Sequence, residues 1–166
     1  MSETKLLICG LGRAGKDQFA EFLRLPFESS SMVALSACIW DDWGEERYES
    51  KGACFADRVN HRMEWFNRIR DMNAEDPTTL GRLIFKDNPI YVGIRSIVEF
   101  KALRSSVPNL SAVWVDASER LPHLVDESCQ ITQGDCDCMV DNNKGLVELE
   151  AQATNTKKYY YGSLYD

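Results

Sequence analysis

Residues Leu6 to Leu23 read LLICGLGRAGKDQFAEFL: an apolar run, a glycine-rich turn ending in a lysine, then apolar residues at helical spacing. That order means strand, loop, helix. In Gly10-Leu11-Gly12-Arg13-Ala14-Gly15-Lys16 the glycines let the backbone curl until several N–H groups face one anion, and the helix that follows brings its positive end to the same point. The spacing from Gly10 to Gly15-Lys16 fits the phosphate-loop pattern, with Lys16 placed to reach the outer phosphates of a nucleotide. Gly10, Gly12, Arg13, Ala14, Gly15, Lys16, Asp17 and Gln18 are therefore the expected nucleotide contacts. Where the pattern asks for a magnesium-binding Ser or Thr after the lysine, this chain has Asp17 and Gln18. Two readings of Asp17 stand side by side: a residue that favours the positive end of the helix, or an oxygen ligand of magnesium, direct or through water.

The chain around this loop is 166 residues long and 44% hydrophobic, enough for one domain with its own core. Its formal charge is −7, from 19 Lys and Arg against 26 Asp and Glu. A polyanion must then be held by a local basic patch, which counts against duplex DNA as a partner. No run of about 18 apolar residues occurs and no signal-peptide pattern opens the chain, so no membrane association is expected and a cytoplasmic location is. Cys9 and Cys38 lie in apolar runs, where a small buried thiol is the ordinary explanation. Cys129, Cys136 and Cys138 cluster near His123, but not at a usual zinc spacing.

Outward from the loop, the first helix should stop before Pro26. A second strand is expected at Met32 to Ile39 (MVALSACI), leading into Trp40-Asp41-Asp42 and so setting two carboxylates at a strand end. Residues 43–55 lack periodicity and read as loop or short irregular helices. From Asp57 to Met72 the pattern is helical, with Arg58, His61, Arg62, Trp65 and Arg68 on a basic face whose ordinary explanation is solvation. Asp76-Pro77 starts another helix. Ile90 to Ile94 reads as a strand with Arg95 at its end, and Ser96 with Glu99 has the spacing of a capping box, giving Glu99 a structural role. Further strands are expected at Ser111 to Val115, ending in Asp116, and at Cys138 to Val140, before a last helix from about Lys144. The tyrosine-rich tail, 154–166, reads as loosely ordered or docked on its own domain, with a stacking platform for bases or a dimer contact as the rarer alternative.

Strands alternating with helices imply an α/β fold, a parallel sheet covered on both faces, with ligands at the carboxyl ends of the strands. Lys16, Asp17, Asp41, Asp42, Arg95 and Asp116 would gather there. Such a set suits phosphoryl transfer, which needs phosphate cradling, a metal and charge neutralisation, and a base when the acceptor is an alcohol. Arg95 would fork onto a phosphate, unless it is a surface ion pair. Asp17 and Asp116 are the candidate magnesium ligands, Asp116 directly or through water, against the plain alternative that Asp116 is a turn residue. Asp41 or Asp42 would be the base, against the plain alternative that both end a loop.

The loop GLGRAGKD, the segment IYVGIRSIVEFKAL and the ending DCDCMVDNNKGLVELEAQ resemble the small phage-type P-loop kinases of the deoxynucleoside monophosphate kinase and thymidylate kinase superfamily. The resemblance implies a three-layer P-loop kinase fold with a sheet of about five strands over 1–153, a helical acceptor-side insertion near 43–88, and use of ATP and Mg2+. FADRVNHRMEWF with DPTTLGRLIF looks like the acceptor-side region of these proteins, so Arg58, Arg62, Trp65 and Arg95 would face the acceptor. Some such kinases phosphorylate nucleoside monophosphates; others phosphorylate the hydroxymethyl group of 5-hydroxymethyluracil in phage DNA, a step of thymidine hypermodification. Residues 117–135, where monophosphate kinases usually carry a lid with arginines, hold only Arg120. With the two aspartates after the second strand, this narrowly favours the DNA-base kinase, acting in the host cytoplasm, over the deoxynucleoside monophosphate kinase. A non-catalytic nucleotide-binding module is the third possibility.

Overall fold

The computed structural model describes residues 3–162, without the side chain of residue 43. Five strands form one all-parallel sheet in the order β2-β3-β1-β4-β5: β1 (Lys5–Cys9), β2 (Phe27–Ser29), β3 (Ile90–Val92), β4 (Leu110–Asp116) and β5 (Cys138–Asp141). The α/β class and strand number expected from sequence are those observed. β1 lies at the centre because nearly every residue in it is apolar, as a strand covered on both faces requires. Alternation then divides its side chains. Leu6 and Ile8 enter a core with Phe19, Ala20 and Leu23 of α1 (Lys16–Leu23) and Leu149 and Ala153 of α8 (Leu146–Tyr161). Leu7 and Cys9 enter the opposite core, with Leu80 and Ile84 of α6 (Thr79–Asp87) and Phe100 and Leu103 of α7 (Ile97–Ser106).

The second strand is not where the sequence pattern puts it. The run MVALSACI is helical: α2 (Ser30–Ala34) passes into a π-helical segment, Leu35–Gly44, then α3 (Glu45–Arg47) and α4 (Lys51–Asp57). Ser29 starts it by accepting the Met32 N–H at 3.1 Å. A strand buried on both faces could not leave Met32, Ser36 and Ala37 exposed, as this run does. Its apolar residues Ala34, Leu35 and Ile39 instead fill a third core with Cys54 and with Trp65 of α5 (Arg62–Met72). The true β2 is the short FES segment, only three residues long. The helix expected over 57–72 is interrupted at His61, after a tight turn at Arg58–Asn60. Residues 154–161 of the expected tail continue α8, and Tyr161 is buried in the first core; residues 163–166 lie outside the described part.

Ser96 caps α7 as its spacing predicts, accepting the Glu99 N–H at 3.3 Å. Glu99, however, does not reach back to complete the box. It is buried and accepts the Tyr91 hydroxyl at 2.8 Å. Burial raises its pKa from 4.5 to about 7, against the bonds from Tyr91 and Asn73 that lower it. A carboxyl raised on folding binds more protons in the native state, so stability falls as pH rises from the unfolded to the folded value. Denaturant unfolding should show wild-type stability dropping by roughly 3 kcal/mol between about pH 4.5 and 7, a drop that Glu99→Gln removes.

Candidate functional site

The loop after β1 opens between β3 and β4, where the chain direction across the sheet reverses and an open parallel sheet leaves its crevice. Two of its glycines are required by geometry. Gly10 has φ +147° and a Cβ there would stand 2.7 Å from the Val115 carbonyl oxygen; Gly15 has φ +95° and a Cβ would collide with the Asn142 amide. That amide donates to the Ala14 carbonyl at 2.8 Å, so the end of β5 braces the loop. Lys16 begins α1 and is 8% exposed, its Nζ turned back to the Leu11 carbonyl at 2.6 Å. Burial, then repulsion from Arg95, lowers its pKa to about 8, with Asp17 pulling the other way.

A cleft of about 200 Å³ lies over this loop. Lys16 and Asp17 line it from α1, Ser29 and Ser31 from the β2–α2 junction, Arg58 from the turn before α5, and Arg62, Trp65 and Phe66 from α5. Gly93 and Arg95, just past β3, close another side, and Ser128 the last. Arg58 is fixed by its bond to the Phe55 carbonyl at 2.9 Å and by stacking on the Phe55 ring, 3.7 Å from its centroid. Trp65 is buried, and its Nε1 finds no hydrogen-bond partner among the described residues.

Arg62 and Arg95 meet on one carboxylate, that of Asp126, whose side chain is 1% exposed. Its Oδ2 accepts the Gly12 N–H at 2.8 Å, Arg62 at 3.3 Å and Arg95; its Oδ1 accepts the Ser128 hydroxyl at 2.5 Å and N–H at 3.2 Å. Burial pushes this carboxyl up, but the bonds from Ser128, Arg95 and Gly12 together outweigh it and hold it well below the usual carboxylate range.

The structure thus brings Gly12, Arg13, Lys16, Asp17, Arg58, Arg62, Trp65 and Arg95 to one cleft, while Gly10, Ala14 and Gly15 shape the loop beneath. Gln18 instead bonds Glu21 at 3.1 Å. Asp41 and Asp42 do not join them: being on the π-helical segment rather than at a strand end, both are exposed, and Asp42 pairs with Arg68. Asp116 does end a strand, but it accepts Ser118 at 2.9 Å and Asn143 at 3.0 Å and does not line the cleft. Asp126 and Ser128 leave little trace in the sequence: their only signal is an aspartate two residues before a serine in an aperiodic acidic segment.

A second, more apolar cavity of about 440 Å³ adjoins the cleft and shares Phe66, Ile69, Gly93 and Arg95 with it. For a magnesium ion, the donor in reach is Asp17, a hard oxygen at the cleft that forms no hydrogen bond among the described residues. One carboxylate fits an ion that takes its remaining ligands from phosphates and water. Among the described residues no group of three or more His, Cys, Asp or Glu stands together as a metal cage. No described helix is long and apolar enough to cross a membrane.

No protein-family model matches the chain, and no curated protein matches it. Among solved structures it is similar to a sugar kinase from Janibacter sp. HTCC2649, determined without ligand, at a TM-score of 0.47 and 12% identity over 98% of each chain. A likeness this loose bears on neither chemistry nor substrate.

Proposed function

We propose that this chain is a phosphotransferase of the P-loop kinase type, which binds ATP at residues 10–18 and passes the terminal phosphoryl group to a deoxynucleoside monophosphate. One observation carries the reading: Lys16, Arg58, Arg62 and Arg95 converge on a single cleft at the end of the central strand, in a chain whose net charge is −7. Cations are gathered there against the overall balance. Phosphoryl transfer moves negative charge between oxygens, and its catalysis is mostly positioning and charge stabilisation, which such a cluster supplies. Lys16 serves the donor side, and Arg58, Arg62 and Arg95 the acceptor side. Asp17 would hold Mg2+, which neutralises phosphate charge when bound.

The monophosphate acceptor is supported by which carboxylates reach the cleft. A hydroxyl gains from a base, whereas a monophosphate dianion needs none. Asp41 and Asp42 lie outside, Asp126 is too acidic and too fully bonded to take a proton, and Asp17, the carboxylate that does line the cleft, is the one that would hold Mg2+. The adjoining apolar cavity offers room for the acceptor's ring. One observation favours the hydroxymethyl group of 5-hydroxymethyl-deoxyuridine in DNA as a second reading. Arg120, the single arginine of 117–135, donates its Nε to the Asn142 carbonyl at 3.0 Å rather than to the cleft.

Labelled ATP and Mg2+ offered with each deoxynucleoside monophosphate, and with oligonucleotides containing hydroxymethyluracil, test this. Label on free monophosphates is the expected result; label on oligonucleotides alone moves the assignment to DNA. Tight ATP binding with no acceptor labelled leaves only a nucleotide-binding module. Asp41→Asn and Asp42→Asn should both turn over at the wild-type rate.

A further inference from the structure

Five hydrogen bonds from four residues converge on the Asp126 carboxylate: the Gly12 N–H, the Arg62 and Arg95 guanidiniums, and the hydroxyl and N–H of Ser128. Backbone N–H, forked cations and a hydroxyl are the donors that proteins aim at a phosphate. Here they receive a carboxylate borne 114 residues away from Gly12 in the chain. A wish for stability does not explain it, because a buried ion pair contributes little that apolar packing would not. The donors belong to the cleft. Arg62, Arg95, Gly12 and Ser128 all line it, and Gly12 lies in the loop itself.

We propose that Asp126 is an internal occupant of an oxyanion site whose free ligand is a phosphate monoester, and that the incoming phosphate takes Gly12, Arg62 and Arg95 from it. This rests on the phosphate reading of the cleft but not on turnover. Exchange replaces one buried anion by another, so neither arginine is left without a counter-charge. A dianion with three terminal oxygens gains more from two guanidiniums than a single carboxylate does. The segment bearing Asp126 is built to let go. Residues 117–132 contain no helix or strand, Val125 is 79% exposed, and within 122–129 the local backbone bonds are Leu124 to Leu121 at 3.1 Å and Cys129 to Asp126 at 3.0 Å. The segment stays anchored on both sides of Asp126: Glu119 and Arg120 donate their N–H groups to the Asn143 side chain at 3.0 and 3.1 Å, the Gln130 N–H donates to the Arg95 carbonyl at 2.8 Å, and the Gln130 side chain accepts the Ile97 N–H at 3.2 Å. Because the resident carboxylate must leave, it lowers the apparent affinity for phosphate by the fraction of molecules in which the site is free.

Calorimetric titration of inorganic phosphate into wild type, Asp126→Asn and Asp126→Ala tests this without ATP or acceptor. The variants should bind phosphate about tenfold or more tighter than wild type. In wild type, phosphate should speed amide hydrogen exchange over residues 124–129 while slowing it over 10–16. Unchanged or weaker phosphate binding by the variants overturns the proposal, as does added protection of 124–129 by phosphate. Should the variants fail to fold, the exchange measurement on wild type decides alone. A protein that exchanges Asp126 for phosphate yet labels no acceptor loses the kinase reading and keeps this one.

Discussion

Lys16→Met should, on the proposed phosphoryl-transfer reading, lower turnover by about 10²–10³-fold, the scale of one preorganised charge at a reacting oxyanion. The fold should survive, for reasons read directly from the site. Lys16 is nearly buried and makes one bond, to the Leu11 carbonyl, so its ammonium is desolvated for little return in the absence of phosphate. Burial is the largest cause of its lowered pKa, and that fixes the sign of its effect on stability. Between about pH 8 and 10.5 the unfolded chain binds more protons than the folded one at this site, so stability rises with pH there and the cost of burying the charge is fully present below 8. Lys16→Met removes that cost and keeps the aliphatic stem. Near neutral pH it should be as stable as wild type or more so, and inactive. On the proposed kinase reading, wild-type kcat/KM should fall as pH rises through about 8, where Lys16 loses its proton. A Lys16→Met protein that keeps most of its turnover, or a flat profile across that range, would remove Lys16 from the chemistry.

How far the sequence reveals the site depends on the kind of signal each residue leaves. β1, its loop and α1 are legible because each obeys a local rule: an apolar run, glycines at positions with positive φ, and an apolar face at helical spacing. β3, Arg95 and the Ser96 cap are legible for the same reason. Met32 to Ile39 is not, because eight apolar and small residues satisfy a buried strand and a buried helix equally. What decides between them is tertiary: Cys54 and Trp65 offer a helical surface to pack on, and the neighbour of β3 is already supplied by Phe27–Ser29. Because the run is helical, Asp41 and Asp42 stand on its π-helical part and not at a strand end. Asp126 fails differently. Its partners Gly12, Arg62 and Arg95 lie 31 to 114 residues away, and no periodicity links them. Glu99 shows a third case, where a spacing that predicts a cap hides a side chain turned inward to Tyr91.

Arg95→Met should produce the largest loss of stability at the site, about 3 kcal/mol, from the carboxylate it leaves behind. Asp126 would keep Ser128, Gly12 and Arg62, the last at 3.3 Å, but lose the cation that sits closest to it. With a side chain 1% exposed, the carboxylate cannot recover the loss from water. For a chain of this length the melting temperature should fall by roughly 6–12 °C. Acid sensitivity should change as well. In wild type the depressed Asp126 contributes stability above its unfolded pKa, and that contribution fades only as pH falls through its much lower folded value. Without Arg95, burial, which raises the carboxyl, is less opposed, and acid unfolding should begin at higher pH. The double variant Arg95→Met with Asp126→Asn separates charge from chemistry. Removing the stranded charge should restore most of the melting temperature, while turnover should stay low if, as proposed, Arg95 holds the acceptor's phosphate. If the double variant melts as low as the single one, the loss comes from packing around Arg95 and not from Asp126. If it regains turnover, Arg95 serves only to hold Asp126 and the acceptor side of the cleft rests on Arg58 and Arg62.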